Sequence, residues 1–549
     1  MKVVIIGGIA GGASAAARLR RLDEKAEIIL FERSANISSA TCGLPYFIGN
    51  VIKNKAELNV QTVEGFVSRF SVDVRINTEV TEIDPNKKIV TYKNNLGKTG
   101  TESYDKLILS PGAYPFIPQN WDNIKGLFVL RSQEDGFAIC DYLKNEKPKN
   151  AVVVGGGFIG MEMAENLLNI GLSVTIVEKM PHLLPVLDQD MASFVHSRVK
   201  RAGIKMMLGD EVSDITQKES EILIKFKDGN SISTDMVILS LGVVPENKLA
   251  KESGLELDIK GTIKVNEYMQ TSNADIYAIG DAVAVKNYVS GKISHIPLAG
   301  PANKQGRIAA DNICGRKTVY KGAQATAIVK VFDVTAAVTG LSEKEAKEIC
   351  PDATTVMLMP LSHAGYYPGG QIMALKTIFD QKTGKIFGAQ IVGGEGVDKR
   401  IDILATAIFL KADIRNLKDL DLAYAPPYAS AKDPINMVGF VAENIMSGLH
   451  KQIGIEDLDK LEDKSKVNLI DVRTPKEYAA GTFEGFENIP LDDLRNSYDK
   501  IDKSKPVYVA CRVGIRGYIA TRILEQDGFD AHNLAGGYLY YDSVMKDRK

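Results

Sequence analysis

Cysteine is scarce in this chain of 549 residues. It has five, at positions 42, 140, 314, 350 and 511, with no C-x-x-C pair among them. An odd, dispersed set excludes a secreted disulfide framework. It points to a reducing compartment, where a special cysteine is a catalytic candidate. Cys140, Cys314 and Cys350 have neither partner spacing nor motif. No cluster of histidines accompanies any of them, so no metal is expected. Charge of one sign is lacking too: the formal net charge is −2, which gives no global pull toward nucleic acid or anionic lipid. No apolar run approaches the roughly 20 residues of a membrane span. The opening Met1 to Gly7 is far shorter than a signal-peptide core, and a cytoplasmic location is expected. Composition is ordinary, 45% apolar and 25% charged, which excludes disorder as the main state. The length predicts about three to five domains of roughly 100–200 residues each.

One pattern occurs twice. The first copy runs strand Val3 to Ile6, glycine cluster Gly7-Gly8-Ile9-Ala10-Gly11-Gly12, an Ala-rich helix from Ala13 to Leu22, and strand Ile28 to Phe31 ending in Glu32. The second runs strand Ala151 to Val154, Gly155-Gly156-Gly157-Phe158-Ile159-Gly160, a helix through Leu168, and strand Ser173 to Val177 ending in Glu178. Each is a βαβ unit with an acid roughly 20 residues past the glycines. Glycines let the backbone approach a pyrophosphate, the helix N-terminus offers free N–H groups, and the acid accepts from ribose hydroxyls. The second copy fits G-x-G-x-x-G. The first has Ile9 in the middle slot, which predicts a slightly different turn. Glu178 at the end of the second unit favours the free 2′-hydroxyl of NADH.

Two more strands end in tight turns, Asp105 to Gly112 and Thr271 to Asp281, the latter closing on Gly280-Asp281. With these, residues 1–445 resemble the flavin-dependent pyridine nucleotide-disulfide oxidoreductases. The resemblance implies FAD on the first glycine unit and Gly280-Asp281, and NADH on the second unit. It assigns FAD and NADH contacts to Gly7, Gly8, Ala10, Gly11, Gly12, Glu32, Arg33, Val80, Ser110, Pro111, Gly112, Arg131, Gly155, Gly157, Phe158, Ile159, Gly160, Glu178, Gly242, Gly280, Asp281, Pro297, Leu298 and Ala299.

The C-terminal part reads separately. Residues near 447–467 are polar and read as a linker with an entry helix. Beyond them stand Asp471-Val472-Arg473, Cys511-Arg512-Val513-Gly514-Ile515-Arg516 and Ala535-Gly536-Gly537-Tyr538. Alternating strands and helices over this stretch predict an independent α/β domain, and its motifs resemble a rhodanese domain. The expected fold class is therefore α/β: two Rossmann-like nucleotide-binding domains, an α+β dimerisation domain and a C-terminal α/β rhodanese domain. The expected boundaries are 1–115 with 245–320 for FAD, 116–244 for NAD, 321–445 for dimerisation, 446–465 for the linker and 466–549 for the rhodanese domain.

Cys42 lies in Thr41-Cys42-Gly43-Leu44-Pro45-Tyr46, and Pro45 suits an early helical position. The spacing places Cys42 beside a helix N-terminus, where the dipole favours a thiolate. Disulfide reductases of this superfamily carry a second cysteine five positions later. Here that residue is Phe47, so Cys42 must complete its redox cycle with a small thiol or as a sulfenic acid. Among single-cysteine branches, the surroundings of Cys42, Ser362 to Gly369 and Tyr424 to Asp433 resemble coenzyme A disulfide reductases. That implies Tyr366 and Tyr424 reach the partner subunit's sulfur, although interface packing explains tyrosines there as well. It also implies coenzyme A contacts at Ser14, Arg18, Arg21, Ser38, Thr41, Asn303, Arg307 and Lys432. A solvated helix face explains the three-residue spacing of Arg18 and Arg21 equally well. His363 is the only nearby histidine and a weak candidate for a proton relay.

Cys511 opens a loop to Arg516 whose successive N–H groups form an anion nest, with Arg512 and Arg516 adding positive charge beside the sulfur. The four residues between Cys511 and Arg516 match the sulfur-transferring rather than the phosphatase kind of loop.

The expected function is FAD-dependent, NADH-linked reduction of coenzyme A disulfide, coenzyme A persulfide or polysulfide through Cys42, with sulfane sulfur supplied by Cys511. The expected assembly is a homodimer with small-molecule thiol substrates and neither nucleic acid nor membrane as partner. The rivals are an NADH oxidase or peroxidase cycling a sulfenic acid, and a non-catalytic redox-sensing sulfur carrier.

Overall fold

Val3, Val4, Ile5 and Ile6 are buried without a break, as a strand covered on both faces must be. They belong to strand Lys2–Ile6, the middle of a five-stranded parallel sheet in the order Ile276–Ala278, Lys106–Leu109, Lys2–Ile6, Glu27–Phe31, Asp73–Arg75. Ala151 to Val154 are buried in the same way. Their strand, Asn150–Val154, is the middle of a second parallel sheet: Lys205–Leu208, Ser173–Glu178, Asn150–Val154, Met236–Leu239, Leu127–Val129. Each fully buried Val, Ile or Leu contributes about 1.5–3 kcal/mol of transfer free energy. The two glycine turns thus leave the carboxyl ends of the central strands of the two parallel sheets.

The computed structural model describes residues 1–219, 221–461 and 463–548. It divides into two units, Met1–Met180 with Ile204–Ala325, and Pro181–Gly203 with Thr326–Lys549. Both parallel sheets lie in the first unit, as do two three-stranded antiparallel sheets, Thr78–Asp84 to Thr99–Ser103 and Val212–Lys218 to Ser231–Thr234.

The first helix begins at Ala10, three residues earlier than expected. Gly11 and Gly12 are its first turn rather than loop. A Cβ on Gly12 would stand 1.8 Å from the Gly7 carbonyl oxygen, and one on Gly306 of helix Ala299–Ile313 would stand 2.3 Å from that of Gly11. Close backbone packing, not turn conformation, requires those glycines.

The second unit holds a five-stranded antiparallel sheet, Ala327–Val331, Val334–Gly340, Ile386–Gly393, Ala374–Asp380, Ala353–Leu358. Strand Ala327–Val331 lies at the edge of this sheet and is of mixed character. Val329 and Val331 point into the core and Ile328 is exposed, because alternate side chains take opposite faces. The unit ends in a five-stranded parallel sheet, Gln452–Ile453, Ala531–Leu534, Val507–Ala510, Asn468–Asp471, Glu487–Asn488, with helices Ile515–Gln526 and Gly537–Asp547. The stretch 446–465, expected as a linker, is thus partly structured: Gln452–Ile453 is an edge strand of that sheet and Ile455–Asp459 a short helix. Lys451 adds ion pairs to Glu525 and Asp530. Among the described residues no helix is long and apolar enough to cross a membrane.

Candidate active site

The two glycine turns are built alike. Gly7 and Gly155 both take positive φ, +96° and +107°. A Cβ on Gly12 meets the Gly7 oxygen at 1.8 Å, and one on Gly160 meets the Gly155 oxygen at 1.9 Å. Glu32 accepts from Gly8 N and Ser34 N, each at 2.8 Å. Glu178 accepts from Gly156 N at 2.7 Å and from Met180 N at 2.8 Å. Each buried acid therefore braces its own glycine loop while keeping lone pairs for a further donor. Ile9 does not distort the first turn. It is the residue before helix Ala10–Leu22, as Gly157 is before helix Phe158–Asn169, and a Cβ at Gly157 meets nothing within 4 Å. These cradles and acids fit a dinucleotide.

A cavity of about 400 Å³ opens at the first turn. Of the residues expected to hold FAD, it is lined by Gly7, Ala10, Gly11, Glu32, Arg33, Val80, Ser110, Pro111, Gly112, Arg131, Gly280, Asp281, Pro297 and Ala299, together with Thr41 and Cys42. Gly8, Gly12 and Leu298 do not line it: Gly8 and Gly12 are buried, and Leu298 is the half-buried residue before helix Ala299–Ile313. Arg131 Nη2 bonds Asp281 Oδ2 at 2.7 Å and its Nε bonds the Ala113 carbonyl at 3.1 Å, so the cation on the wall is fixed. Phe158 and Ile159 form the first helical turn after the second glycine cluster, and Gly242 follows strand Met236–Leu239 at φ +96°.

Cys42 sits in the 3₁₀ turn Thr41–Gly43, which leads into a helix of five residues, Leu44–Ile48. Two contacts seat this segment on helix Phe158–Asn169. A Cβ on Gly49 would stand 2.0 Å from Asn166 Oδ1, and Tyr46 Oη donates to Glu162 at 3.0 Å. The sequence expectation for the thiol needs correction. A five-residue helix has little dipole to offer. Burial, followed by the nearby carboxylate of Glu162, pushes the Cys42 thiol up, while Arg131 pulls it down. Its surface is nonetheless open to the cavity, because the dense wall lies behind and beside the sulfur. Phe47 packs edge-on to Phe137 at 5.9 Å. Sequence reasoning missed Glu162. Burial raises its carboxyl, with Tyr46 opposing through its hydrogen bond. An acid two residues past Gly160 inside an otherwise apolar turn was the available signal.

Of the expected coenzyme A contacts of this unit, Ser14, Arg18, Arg21, Asn303 and Arg307 fall on helices Ala10–Leu22 and Ala299–Ile313. Ser14 Oγ donates to Asn303 Oδ1 at 2.5 Å. Arg18 bonds Asp311 through Nε and Nη2, both at 2.7 Å, so its guanidinium is held by an acid the sequence did not single out. Arg21 and Arg307 are exposed on the same two helices. Ser38 takes φ +49° and donates its N–H to the Gly8 carbonyl at 2.9 Å.

In the second unit, Tyr366 and Tyr424, 58 residues apart, share a hydroxyl–hydroxyl hydrogen bond of 2.6 Å. Both rings are exposed. The bond from Tyr424 raises the Tyr366 phenol above its ordinary value. Lys432 is exposed beside Asp433, which holds the fully buried Arg400 at 2.9 Å. His363 is buried, with a ring nitrogen 3.2 Å from the Ala364 carbonyl.

Cys511 is fully buried and its Sγ accepts from Gly514 N at 3.1 Å. Helix Gly537–Asp547 clasps the loop from behind: Tyr538 N donates to the Cys511 carbonyl at 2.7 Å and Leu539 N to that of Arg512 at 3.1 Å. Arg512 is exposed, whereas Arg516 is paired with Glu477.

Comparison with known families divides the chain in three. Residues 1–306 match the pyridine nucleotide-disulphide oxidoreductases, 326–434 their dimerisation domain, and 455–543 the rhodanese-like domain. The coenzyme A disulfide reductase of Staphylococcus epidermidis is 35% identical over 444 residues, 80% of this chain and all of that protein. Among solved structures, reduced CoADR-RHD of Bacillus anthracis is 46% identical, with a TM-score of 0.97, over 100% of this chain and 98% of that one. An NAD-dependent persulfide reductase from A. fulgidus is 36% identical, with a TM-score of 0.92, over 98% and 100%. With the family match covering more than half its length, the chain belongs to the pyridine nucleotide-disulphide oxidoreductases: it is an enzyme of the FAD- and NAD-binding kind, extended by a rhodanese-like domain.

Proposed function

We propose that this enzyme is an NADH-linked reductase of coenzyme A disulfide, coenzyme A persulfide or polysulfide, working through Cys42 alone and fed with sulfane sulfur by Cys511. The observation that carries the reading is Cys42 on the wall of the cavity that also holds Gly7, Ser110 and Asp281, with Phe47 where a second thiol would stand. Phe47 is packed on Phe137 and offers no exchange partner, so the partner sulfur must come from the substrate. The relatives named for coenzyme A disulfide and for persulfide support that substrate class.

When bound, FAD supplies an electron pair, drawn from NADH, to a sulfur at this wall. The rest of the chemistry belongs to the chain. The Cys42 thiolate attacks one sulfur of coenzyme A disulfide; a Cys42–coenzyme A disulfide forms and coenzyme A thiolate leaves. With coenzyme A persulfide, the same bond forms and hydrosulfide leaves. Two electrons then cleave the mixed disulfide and return Cys42 and coenzyme A as thiolates. Arg131, fixed by Asp281, and Thr41 favour the thiolate, while Glu162 opposes it. The joined hydroxyls of Tyr366 and Tyr424 supply a proton to the departing sulfur, reaching it from the second copy of a homodimer. Ser14 with Asn303, Arg18, Arg21, Ser38, Arg307 and Lys432 take the nucleotide end of coenzyme A, and Glu178 takes the ribose of NADH. Residues 321–445 are the dimerisation domain in this reading.

Anaerobic NADH oxidation with coenzyme A disulfide, coenzyme A persulfide, polysulfide and peroxide tests the proposal. Turnover on one or more sulfur substrates and none on peroxide is expected. Turnover on peroxide alone overturns it in favour of an oxidase or peroxidase. No steady turnover on any of them leaves a sulfur carrier.

A further inference from the structure

The charge around Cys511 is largely cancelled before any donor arrives. Arg516 closes the loop, but both ends of its guanidinium are taken by Glu477: Nη1 to Oε2 and Nη2 to Oε1, each at 2.8 Å. Glu477 is itself held in place. Its Oε2 accepts from Thr474 N and Thr474 Oγ, both at 3.0 Å, as the cap of helix Pro475–Ala479. The other nearby ion pair, Arg473 with Asp471 at 2.6 Å, is also closed and buried. One cation remains. Arg512 is exposed, and its guanidinium makes no ion pair among the described residues.

We propose that Glu477 sets the donor specificity of Cys511: by neutralising Arg516 it leaves the loop fit for sulfane donors bearing a single negative charge, persulfides and hydropolysulfides, and unfit for dianionic thiosulfate. This rests on the reading of Cys511 as the sulfur acceptor. The step is balanced in either case. The Cys511 thiolate attacks a sulfane sulfur, a Cys511–sulfur bond forms and one S–S bond breaks. Its electron pair leaves with sulfite from thiosulfate, or with a sulfide chain one atom shorter from polysulfide. The donors differ in the charge brought against a buried thiolate. Gly514 N donates to the sulfur, and the exposed Arg512 follows Cys511 in the chain. A second unit on the donor meets no free cation, because a charge already matched by a bidentate carboxylate adds little field outside the pair.

The test uses the full-length protein with thiosulfate and inorganic polysulfide as donors, reading sulfite release, loss of donor and the mass of Cys511. Wild type should load from polysulfide and poorly from thiosulfate. Glu477→Gln keeps an oxygen to cap Thr474 but removes the charge. It should raise the ratio of kcat/KM for thiosulfate to that for polysulfide by about fivefold or more, mainly through a lower KM for thiosulfate. Glu477→Asp, which keeps the charge, should restore the wild-type ratio. Arg512→Gln should move the ratio the other way, and it decides the matter if Glu477→Gln does not fold. An unchanged ratio in Glu477→Gln or in Arg512→Gln, with Cys511 still gaining sulfur from polysulfide, overturns this inference alone. If wild-type Cys511 gains sulfur from neither donor, the reading of Cys511 as acceptor falls, and the inference with it.

Discussion

Lys376→Met is the most demanding test of the second unit. Lys376 is 4% exposed, and its ammonium meets Asp188 at 3.0 Å, Asp190 at 2.9 Å and Glu343 at 2.6 Å. Tyr540 of the C-terminal helix Gly537–Asp547 donates to Asp190 as well. Burial works against the charge on Lys376, but the three carboxylates outweigh it and hold the ammonium well above its ordinary range. Methionine matches the volume and removes the ammonium shared by the three acids, leaving only Glu343 a cation among the described residues, the half-exposed Lys347. Breaking a buried charge cluster from one side costs about 3–5 kcal/mol, because the remaining charges lose their partner. At about 2–4 °C per kcal/mol for a unit of this size, Tm should fall by roughly 6–20 °C. The loss should depend on pH. Wild-type Lys376 has a raised folded-state pKa, so its stabilisation is fully present below its unfolded value and is lost only in strong alkali. In the variant the acids face one another, and their folded-state pKa values rise. Asp188 is already pushed up by burial, with Lys376 opposing. Acids raised in this way penalise the folded state above their pKa and cease to as they protonate, so the loss should shrink between about pH 8 and about pH 5. Calorimetry at both pH values, with hydrogen exchange of helix Gly537–Asp547, measures it. A loss below about 1 kcal/mol, or one equal at both pH values, refutes the reasoning.

Four further outcomes are expected. Cys42→Ser should abolish NADH-driven turnover while FAD stays bound; retained coenzyme A disulfide reduction would remove Cys42 from the mechanism. Gly160→Ala places a carbon 1.9 Å from the Gly155 oxygen, so it should raise the KM for NADH by about tenfold or more with FAD content intact; an unchanged KM would detach that turn from NADH. Glu162→Gln removes the carboxylate that, after burial, pushes the Cys42 thiol up; the pH profile of Cys42 alkylation should move to lower pH, and a shift to higher pH would contradict the geometry. Cys511→Ser should spare coenzyme A disulfide reduction and slow polysulfide turnover; equal loss of both would make the C-terminal domain a structural support.

The parts most legible in the sequence were those with strict local geometry. Two glycine turns, each flanked by continuous apolar strands and closed by an acid, announced both parallel sheets, and strand ends fell within a residue or two of the observed ones. What escaped was fixed by contacts remote in sequence. Helix Ala10–Leu22 starts inside the glycine cluster, and its Gly11 carbonyl is crossed by a helix nearly 300 residues later, where a Cβ on Gly306 would stand 2.3 Å from that oxygen. Arg18 read as a phosphate ligand or a solvated residue, and only the fold brings Asp311 to its guanidinium. Residues 446–465 read as a linker because a strand as short as Gln452–Ile453 leaves no periodicity; it is recognisable only by pairing with Ala531–Leu534. That pairing, with Lys451 bonded to Glu525 and Asp530, removes much of the slack a flexible stretch of that length would give. The same logic governs the two thiols. Cys42 and Cys511 were found by their neighbours in sequence. Their reactivity depends on Glu162 and Glu477, which lie 120 and 34 positions away in number and enter only when helix Phe158–Asn169 packs on the Cys42 segment and helix Pro475–Ala479 on the Cys511 loop. One acid works against a thiolate and the other cancels its cation. Neither effect follows from a motif, and both follow from which carboxylate the fold sets beside which charge.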